Sequence, residues 1–106
     1  MVIEFRNKEL ENLYEGEKPK AKVYKSNKKL VRGFIKTVKK IQAAEDLNTL
    51  KQIGSLNLEK LIDHPRGFSS VRIDDKYRLI IELIKNDKDE VNLIGLEEIS
   101  NHYSKN

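Results

Sequence analysis

The second half of the chain contains a stretch in which apolar and polar residues alternate. Its apolar positions are Val71, Ile73, Tyr77, Leu79, Ile81 and Leu83. Successive strand side chains point to opposite faces, so these residues share one face if the turn between them has an odd length. The pattern therefore predicts a β-hairpin with the three-residue turn Asp74-Asp75-Lys76 and one buried face.

Two arginines stand on the other face of this hairpin. The predicted turn pairs Ile73 with Tyr77, which places Arg72 opposite Arg78. Like charges directly across a strand pair destabilise it. An anion bound between the two side chains would offset that cost, so the hairpin predicts an anion site.

The first half of the chain predicts a strand followed by helices. Residues 2–6 have the pattern of a short strand, and Asn7 suits the N-cap of a helix that Gly16 ends. Ser26 is a candidate cap for a second, strongly amphipathic helix that extends to about Ala44. Gly33 lies inside this helix at a cost of about 1 kcal/mol relative to alanine. Close packing against the first helix would explain it.

The second helix also carries a basic face. A rotation of about 100° per residue separates its apolar residues from a narrow stripe of basic ones. The members of the stripe are Lys25, Lys29, Arg32, Lys36 and Lys40.

The remaining pattern predicts a short helix around Leu50 that closes at Gly54, and a last strand from Val91 to Ile99. We therefore expect an α+β fold with an N-terminal strand and two to three helices packed on one face of a small antiparallel sheet. The length predicts a single domain over residues 1–106.

Charge is distributed unevenly along the chain. The formal net charge is +4, yet residues 18–44 contain ten Lys or Arg and no Asp or Glu. The rest of the chain therefore has a net charge of −6. Such asymmetry indicates a polyanionic partner for one surface, while a solvated lysine-rich helix is the plainer interpretation.

Composition excludes several classes of protein. Cysteine is absent, which removes disulfides and cysteine-based metal sites and favours a reducing compartment. The first residues are too few and too charged for a signal peptide, and no stretch is long enough to span a membrane. Two histidines nearly forty residues apart form no metal motif, and the scattered glycines form no phosphate loop. We expect a cytoplasmic protein without a cofactor.

The side chains left for chemistry suit RNA cleavage by the ribose 2′-hydroxyl. They are Lys60, His64, Arg66, Arg72, Arg78, His102 and Tyr103. That reaction needs cations on the phosphate, a base for the hydroxyl proton and an acid for the leaving oxygen. Histidine titrates near neutrality, and nearby arginines favour the phenolate of tyrosine.

Each candidate also has a plainer interpretation. Strand arginines are commonly solvated or ion-paired, and Glu82 lies on the same strand face as Arg78. His64 precedes a proline in a polar loop and can be ordinary surface. His102 and Tyr103 can belong to a tail that packs on the sheet.

The hairpin resembles a known toxin family. The run from Ser70 to Leu79, S-V-R-I-D-D-K-Y-R-L, is similar to the S-I-R-I-N-D-x-(W/Y)-R-I segment of the HigB-like branch of the RelE/ParE superfamily. The closing Leu93-Ile94-Gly95-Leu96 followed by His102 and Tyr103 resembles that family's last strand and catalytic tail. The order of elements is also similar across essentially the whole chain.

The resemblance implies a RelE-like fold and a type II toxin that inhibits translation as a ribosome-dependent endoribonuclease, or mRNA interferase. Arg78 matches the arginine that holds the scissile phosphate, and Arg72 matches a basic position on the preceding strand. Tyr103 or His102 matches the residue implicated in proton transfer, and His64 falls in a loop that often carries a functional histidine.

The implied partners are a cognate antitoxin of the helix-turn-helix type, messenger RNA and ribosomal RNA. Operator DNA would be bound only through the antitoxin, and no membrane is involved. The expected RNA-binding residues are Lys25, Lys29, Arg32, Lys36, Lys40, Lys60, Arg66 and Lys76. The superfamily also contains ParE-like inhibitors of DNA gyrase that lack nuclease activity, so a gyrase inhibitor remains an alternative. A non-catalytic RNA-binding module and an inactive toxin are two further alternatives.

Overall fold

Five strands and four helices form an α+β fold in the part of the chain that the structure describes. In the computed structural model, residues 1–62 and 67–101 are described. The helices are α1 (Lys8–Tyr14), α2 (Lys22–Lys25), α3 (Lys28–Ala43) and α4 (Leu47–Gln52), and a 3₁₀ turn follows at Gly54–Leu56. The strands are β1 (Val2–Phe5), β2 (Glu59–Lys60), β3 (Ser69–Arg72), β4 (Arg78–Lys85) and β5 (Val91–Ser100). The predicted α+β class is confirmed.

The strands form one sheet in the order β1-β5-β4-β3-β2. β3, β4 and β5 are antiparallel neighbours, as predicted, and the short β2, which the pattern did not predict, pairs antiparallel with β3. β1 runs parallel to β5 and makes the sheet mixed. Short turns force neighbouring strands to be antiparallel, but the helices and β2–β4 separate β1 from β5 in the chain, so these two strands can pair in parallel.

The hairpin register predicted from the alternation is confirmed. Val71 pairs with Leu79, and Arg72 pairs with Arg78. The Asp74 carboxylate accepts backbone hydrogen bonds from Lys76 and Tyr77 at 2.9 and 2.8 Å, which holds the turn. Asp and Asn favour such turns because their side chains can accept bonds from the following backbone N–H groups.

The core lies between the helices and the inner face of the sheet. It contains residues of α1, α3 and α4 together with the inward residues of three strands. The fully buried members include Leu10, Leu30, Phe34, Val38, Leu50, Val71, Leu79, Ile81, Ile94 and Leu96. The opposite, outer face carries Glu4, Arg72, Arg78 and Glu82, as the period of two requires.

Two helix predictions are wrong in detail. The N-cap of α3 is Asn27, which accepts from the backbone N–H of Leu30 at 3.0 Å, whereas Ser26 donates its hydroxyl to the Lys22 carbonyl. α2 is therefore a separate single turn, and Lys25 belongs to it rather than to α3. A stripe continuous from Lys25 to Lys40 would need one uninterrupted helix.

Gly33 does pack closely, but against a different element from the one predicted. A Cβ atom at Gly33 would lie 3.1 Å from Cγ2 and 3.7 Å from the carbonyl oxygen of Ile73. Ile73 directly precedes the β3–β4 turn, so the absent side chain lets α3 approach the hairpin rather than α1.

Candidate nucleic-acid interface

A row of residues crosses three neighbouring strands at one end of the outer face. Arg72 on β3 is the Cα partner of Arg78 on β4, and Arg78 is the Cα partner of Ser100 on β5. Cα partners in antiparallel strands lie about 4.5–5.5 Å apart. Ser100 precedes His102 by two residues in the sequence, so the row leads into the predicted catalytic tail.

Arg78 is buried, with 2 % of its side chain exposed. Its Nε donates to the Ser70 hydroxyl at 2.8 Å, and its Nη2 donates to the carbonyl oxygens of Ser70, at 3.1 Å, and Asn57. The Glu59 carboxylate lies 3.9 Å from the same nitrogen. The segment that ends in β2 therefore lies against the guanidinium.

Arg72 is exposed, with 45 % of its side chain accessible. Its Nε donates to the Asp74 carbonyl at 3.3 Å, and its Nη2 pairs with the exposed Asp75 carboxylate. The two arginines share a face and a register, as predicted. Their guanidinium groups nevertheless bind different acceptors. Arg72 contacts the turn, whereas Arg78 contacts Ser70 and the Asn57–Glu59 segment, so the two groups do not converge on one point.

A second cluster, absent from the sequence interpretation, occupies the middle of the outer face. Arg6 bonds to Glu4 and Glu82, each at 2.9 Å, and to Glu97 at 3.0 Å. The hydrogen bonds that Arg6 donates to Glu82 and, next in importance, to Glu4 raise the pKa of its guanidinium. The guanidinium lies over Gly95, where a Cβ would be 2.9 Å from Arg6 Cζ.

The Arg6 cluster makes one half of the outer face rich in carboxylates, whereas the other half carries the two arginines of the row. Carboxylates gather around one arginine over β1, β5 and the middle of β4, whereas Arg72 and Arg78 stand at the turn end of β3 and β4. The available signal was the alternation of Glu4 on β1 and Arg6 just after it, but the partners Glu82 and Glu97 are 76 and 91 residues away from Arg6.

The basic residues of α3 line a groove beside the β3–β4 turn. The groove has a volume of about 430 Å³ and is lined by Lys29, Arg32, Gly33, Lys36, Thr37, Lys40, Ile73 and Asp74. Lys40 also donates to the Ser55 hydroxyl at 2.9 Å. Asp74 contacts Arg72 through its carbonyl, so a single turn separates the basic groove from the arginine row.

The other predicted RNA contacts are dispersed. Lys76 is exposed in the β3–β4 turn next to the groove, whereas Lys60 is exposed on β2, the far edge strand. Lys25 is exposed on α2. His64, Arg66, His102 and Tyr103 lie outside the described residues.

A protein-family model described as the RelE-like toxin of the type II toxin–antitoxin system HigB matches residues 3–94. The chain belongs to the HigB-like toxin family. The match contains the hairpin with both arginines and ends before His102 and Tyr103. Comparisons with curated proteins and with solved structures found no match.

Family membership makes this HigB-like protein a toxin of a type II toxin–antitoxin system, with a cognate antitoxin as its partner. Within residues 1–62 and 67–101, no group of three or more His, Asp or Glu side chains is arranged to hold a metal ion. No helix in that part of the chain is long and apolar enough to cross a bilayer.

Proposed function

We propose that this HigB-like toxin is a ribosome-dependent endoribonuclease that cleaves messenger RNA and so inhibits translation. The observation that carries the proposal is the row of Arg72, Arg78 and Ser100, at the end of the strand that leads to His102 and Tyr103. Cleavage would proceed without a metal by attack of the ribose 2′-hydroxyl and leave a 2′,3′-cyclic phosphate.

Arg72 is the direct phosphate ligand in this mechanism because its side chain is exposed at the edge of the row. A guanidinium stabilises the charge that develops on the phosphate oxygens in the transition state. Arg78 becomes a second phosphate ligand when the RNA displaces the Asn57 carbonyl and the Glu59 carboxylate, because both groups now lie against its Nη2 atom.

Proton transfer is assigned to the chain end. His102 and Tyr103 share the roles of general base and general acid, and His64 is a further candidate for one of them. An imidazole is suited to both roles at neutral pH because its unperturbed pKa is about 6.5.

The groove of α3 is the proposed contact with ribosomal RNA. Its four basic residues lie one turn away from the arginine row, so a toxin docked through the groove would present the row to the message. Lys76 extends this surface, and Lys25, Lys60 and Arg66 are proposed as outlying contacts. A cytoplasmic location and an antitoxin of the helix-turn-helix type complete the proposal.

One observation favours a second function, the inhibition of DNA gyrase without RNA cleavage. Arg78 is buried and bonded to Ser70 and Asn57, as a structural arginine would be. A gyrase inhibitor would not need this guanidinium to reach a phosphate.

The experiment compares the two functions in purified systems. Ribosomes loaded with a defined message are incubated with the toxin, and the RNA ends are mapped. In a parallel assay, relaxed plasmid is incubated with gyrase and the toxin. We expect cleavage with cyclic phosphate ends and unaffected supercoiling. Arg72→Ala should reduce the cleavage rate by about 100-fold or more, since loss of one transition-state donor commonly costs that much.

The matched control is Lys18→Ala, an exposed basic residue in the α1–α2 connection. It should leave cleavage unchanged. Blocked supercoiling with an intact message would instead establish the gyrase function and overturn the nuclease proposal.

A further inference from the structure

A pocket opens at the end of β5, next to the arginine row. Its volume is about 350 Å³, and it is lined by Val23, Tyr24, Tyr77, Glu98, Ile99, Ser100 and Asn101. Ser100 belongs both to this pocket and to the row, and Tyr77 directly precedes Arg78 in the chain. Any group bound in the pocket would therefore be a neighbour of the proposed phosphate site.

The pocket exists because β1 is shorter than β5. β1 pairs with residues 93–96 of β5, so residues 98–100 extend past the end of β1. Side chains from both faces of β5 can reach a common space along this edge. The single turn α2 supplies Val23 and Tyr24 as the opposite wall.

Three polar groups in the pocket have no hydrogen bond or ion pair within residues 1–62 and 67–101. They are the hydroxyl groups of Tyr24 and Tyr77 and the carboxylate of Glu98. Burial, followed by the nearby Glu9, Tyr77 and Glu98, raises the pKa of Tyr24, so its hydroxyl is a protonated donor at neutral pH. The pocket thus offers two hydroxyl groups, from Tyr24 and Tyr77, the two acceptor oxygens of Glu98 and aromatic surface.

We propose that this pocket binds a guanine base of the RNA substrate. The inference rests on the proposed nuclease function for its biological role. Guanine presents one acceptor, O6, followed by the N1–H and N2–H₂ donors on one edge, which complements the Tyr24 hydroxyl and the Glu98 carboxylate. The half-buried Tyr77 ring offers a surface on which the base can stack.

The other bases fit this set of groups less well. Uracil has one donor between two acceptors, so one of its oxygens would meet the Glu98 carboxylate. Adenine and cytosine each present a single amino group beside a ring acceptor, which satisfies one carboxylate oxygen at most. Glu98 is exposed, so the bound base must cover its carboxylate before selection can act. A covered carboxylate oxygen that faces an acceptor loses its water without gaining a bond, and that penalty gives the discrimination.

The test measures binding and cleavage separately. The chain contains four tyrosines and no tryptophan, so tyrosine fluorescence can follow titration of the resting protein with GMP, AMP, CMP and UMP. We expect GMP to bind most tightly and UMP least. Glu98→Gln should weaken GMP about tenfold because it removes a charge-assisted acceptor. Tyr77→Leu should weaken all four nucleotides, while Tyr77→Phe retains the stacking surface.

The matched control is Glu45→Gln, an exposed carboxylate between α3 and α4 that does not line this pocket. It should leave the GMP titration unchanged. Equal affinity for the four nucleotides, or an unaltered titration for Glu98→Gln, would overturn the guanine site. In the ribosome assay, Glu98→Gln should lower the share of cleavage sites next to guanine.

The two proposals fail in different ways. A wild-type protein that binds GMP selectively but leaves the message intact would refute the nuclease and keep the pocket. The wild type could instead cleave the message at the same bases as Glu98→Gln and bind all four nucleotides alike. That result would refute the guanine site and leave the nuclease proposal standing.

Discussion

Arg72 and Arg78 are directly opposite one another on β3 and β4, yet Arg72 is exposed and Arg78 is buried. Each guanidinium has acceptors of its own, Asp74 and Asp75 for Arg72 and Ser70 and Asn57 for Arg78. Protein acceptors therefore meet both members of the like-charge pair. Because only Arg78 is buried, replacing it should affect the stability of the fold more than replacing Arg72.

Replacement of Arg78 should destabilise the fold, whereas replacement of Arg72 should not. Arg78→Ala leaves the acceptors from Ser70 and Asn57 without a donor and opens a cavity, which costs about 2–3 kcal/mol. Arg72→Ala removes an exposed ion pair worth at most about 1 kcal/mol. Urea unfolding of both variants measures the difference. Equal midpoints would show that the burial of Arg78 contributes nothing to stability.

Arg6 and Gly95 should be energetically coupled. Gly95→Ala introduces a Cβ 2.9 Å from the Arg6 guanidinium carbon, so the side chain must shift and its bonds to Glu4, Glu82 and Glu97 weaken. We expect a loss of about 1 kcal/mol in the wild type and a smaller loss in an Arg6→Ala background. Additive losses in this double-mutant cycle would argue against the coupling.

Gly33 should tolerate one methyl group and no more. Gly33→Ala gains about 1 kcal/mol of helix propensity, and the 3.1 Å approach to the Ile73 methyl group offsets most of that gain. Gly33→Leu should cost about 1–3 kcal/mol through overpacking. Adding Ile73→Ala should recover part of the loss, as measured by thermal unfolding. If Ile73→Ala instead adds to the loss, Ile73 is not the residue that the leucine displaces.

The basic groove should set the salt dependence of ribosome binding. Lys36→Glu removes one cation from the groove, so the slope of log K against log salt concentration should become shallower by about one. Binding is measured by sedimentation at several salt concentrations. Lys51→Glu on α4 is the control because Lys51 is exposed away from the groove. Equal slopes for both variants would exclude the groove as the docking surface.

Asp46 should link stability to acid pH. Its side chain caps α4 by accepting from the Thr49 N–H at 2.8 Å, and this bond lowers the pKa of Asp46 from its ordinary 3.8. A lowered folded-state pKa means that the contribution is complete above the unfolded value and is lost as pH falls through the folded value. Asp46→Asn keeps a capping oxygen without a charge.

The measurement is the unfolding midpoint of wild type and Asp46→Asn between pH 7 and acid pH. The wild type should be the more stable at neutral pH, and the difference should shrink below pH 3.8 and disappear once the pH is below the lowered folded-state pKa. A constant difference over the whole range would show that the charge of Asp46 contributes nothing.

Local rules were sufficient for the hairpin and for both ends of α1. The side-chain period of two and the odd turn placed Arg72 opposite Arg78, and Asn7 and Gly16 marked the ends of α1 as predicted. Ser26 was the wrong choice of cap because the sequence offers Ser26 and Asn27 side by side. Which of them caps α3 depends on where the single turn of α2 stops.

The sequence by itself determined the register of the β3–β4 hairpin, the amphipathic helix and the toxin family, because the patterns that carry them lie close together in the chain. Only the tertiary structure decided that Arg78 is buried, since its acceptor Asn57 is 21 residues away. It also decided that Gly33 meets Ile73 and that Tyr24, Tyr77 and Glu98 share a pocket. Burial and proximity of this kind depend on how distant segments pack against one another, and periodicity carries no information about that packing.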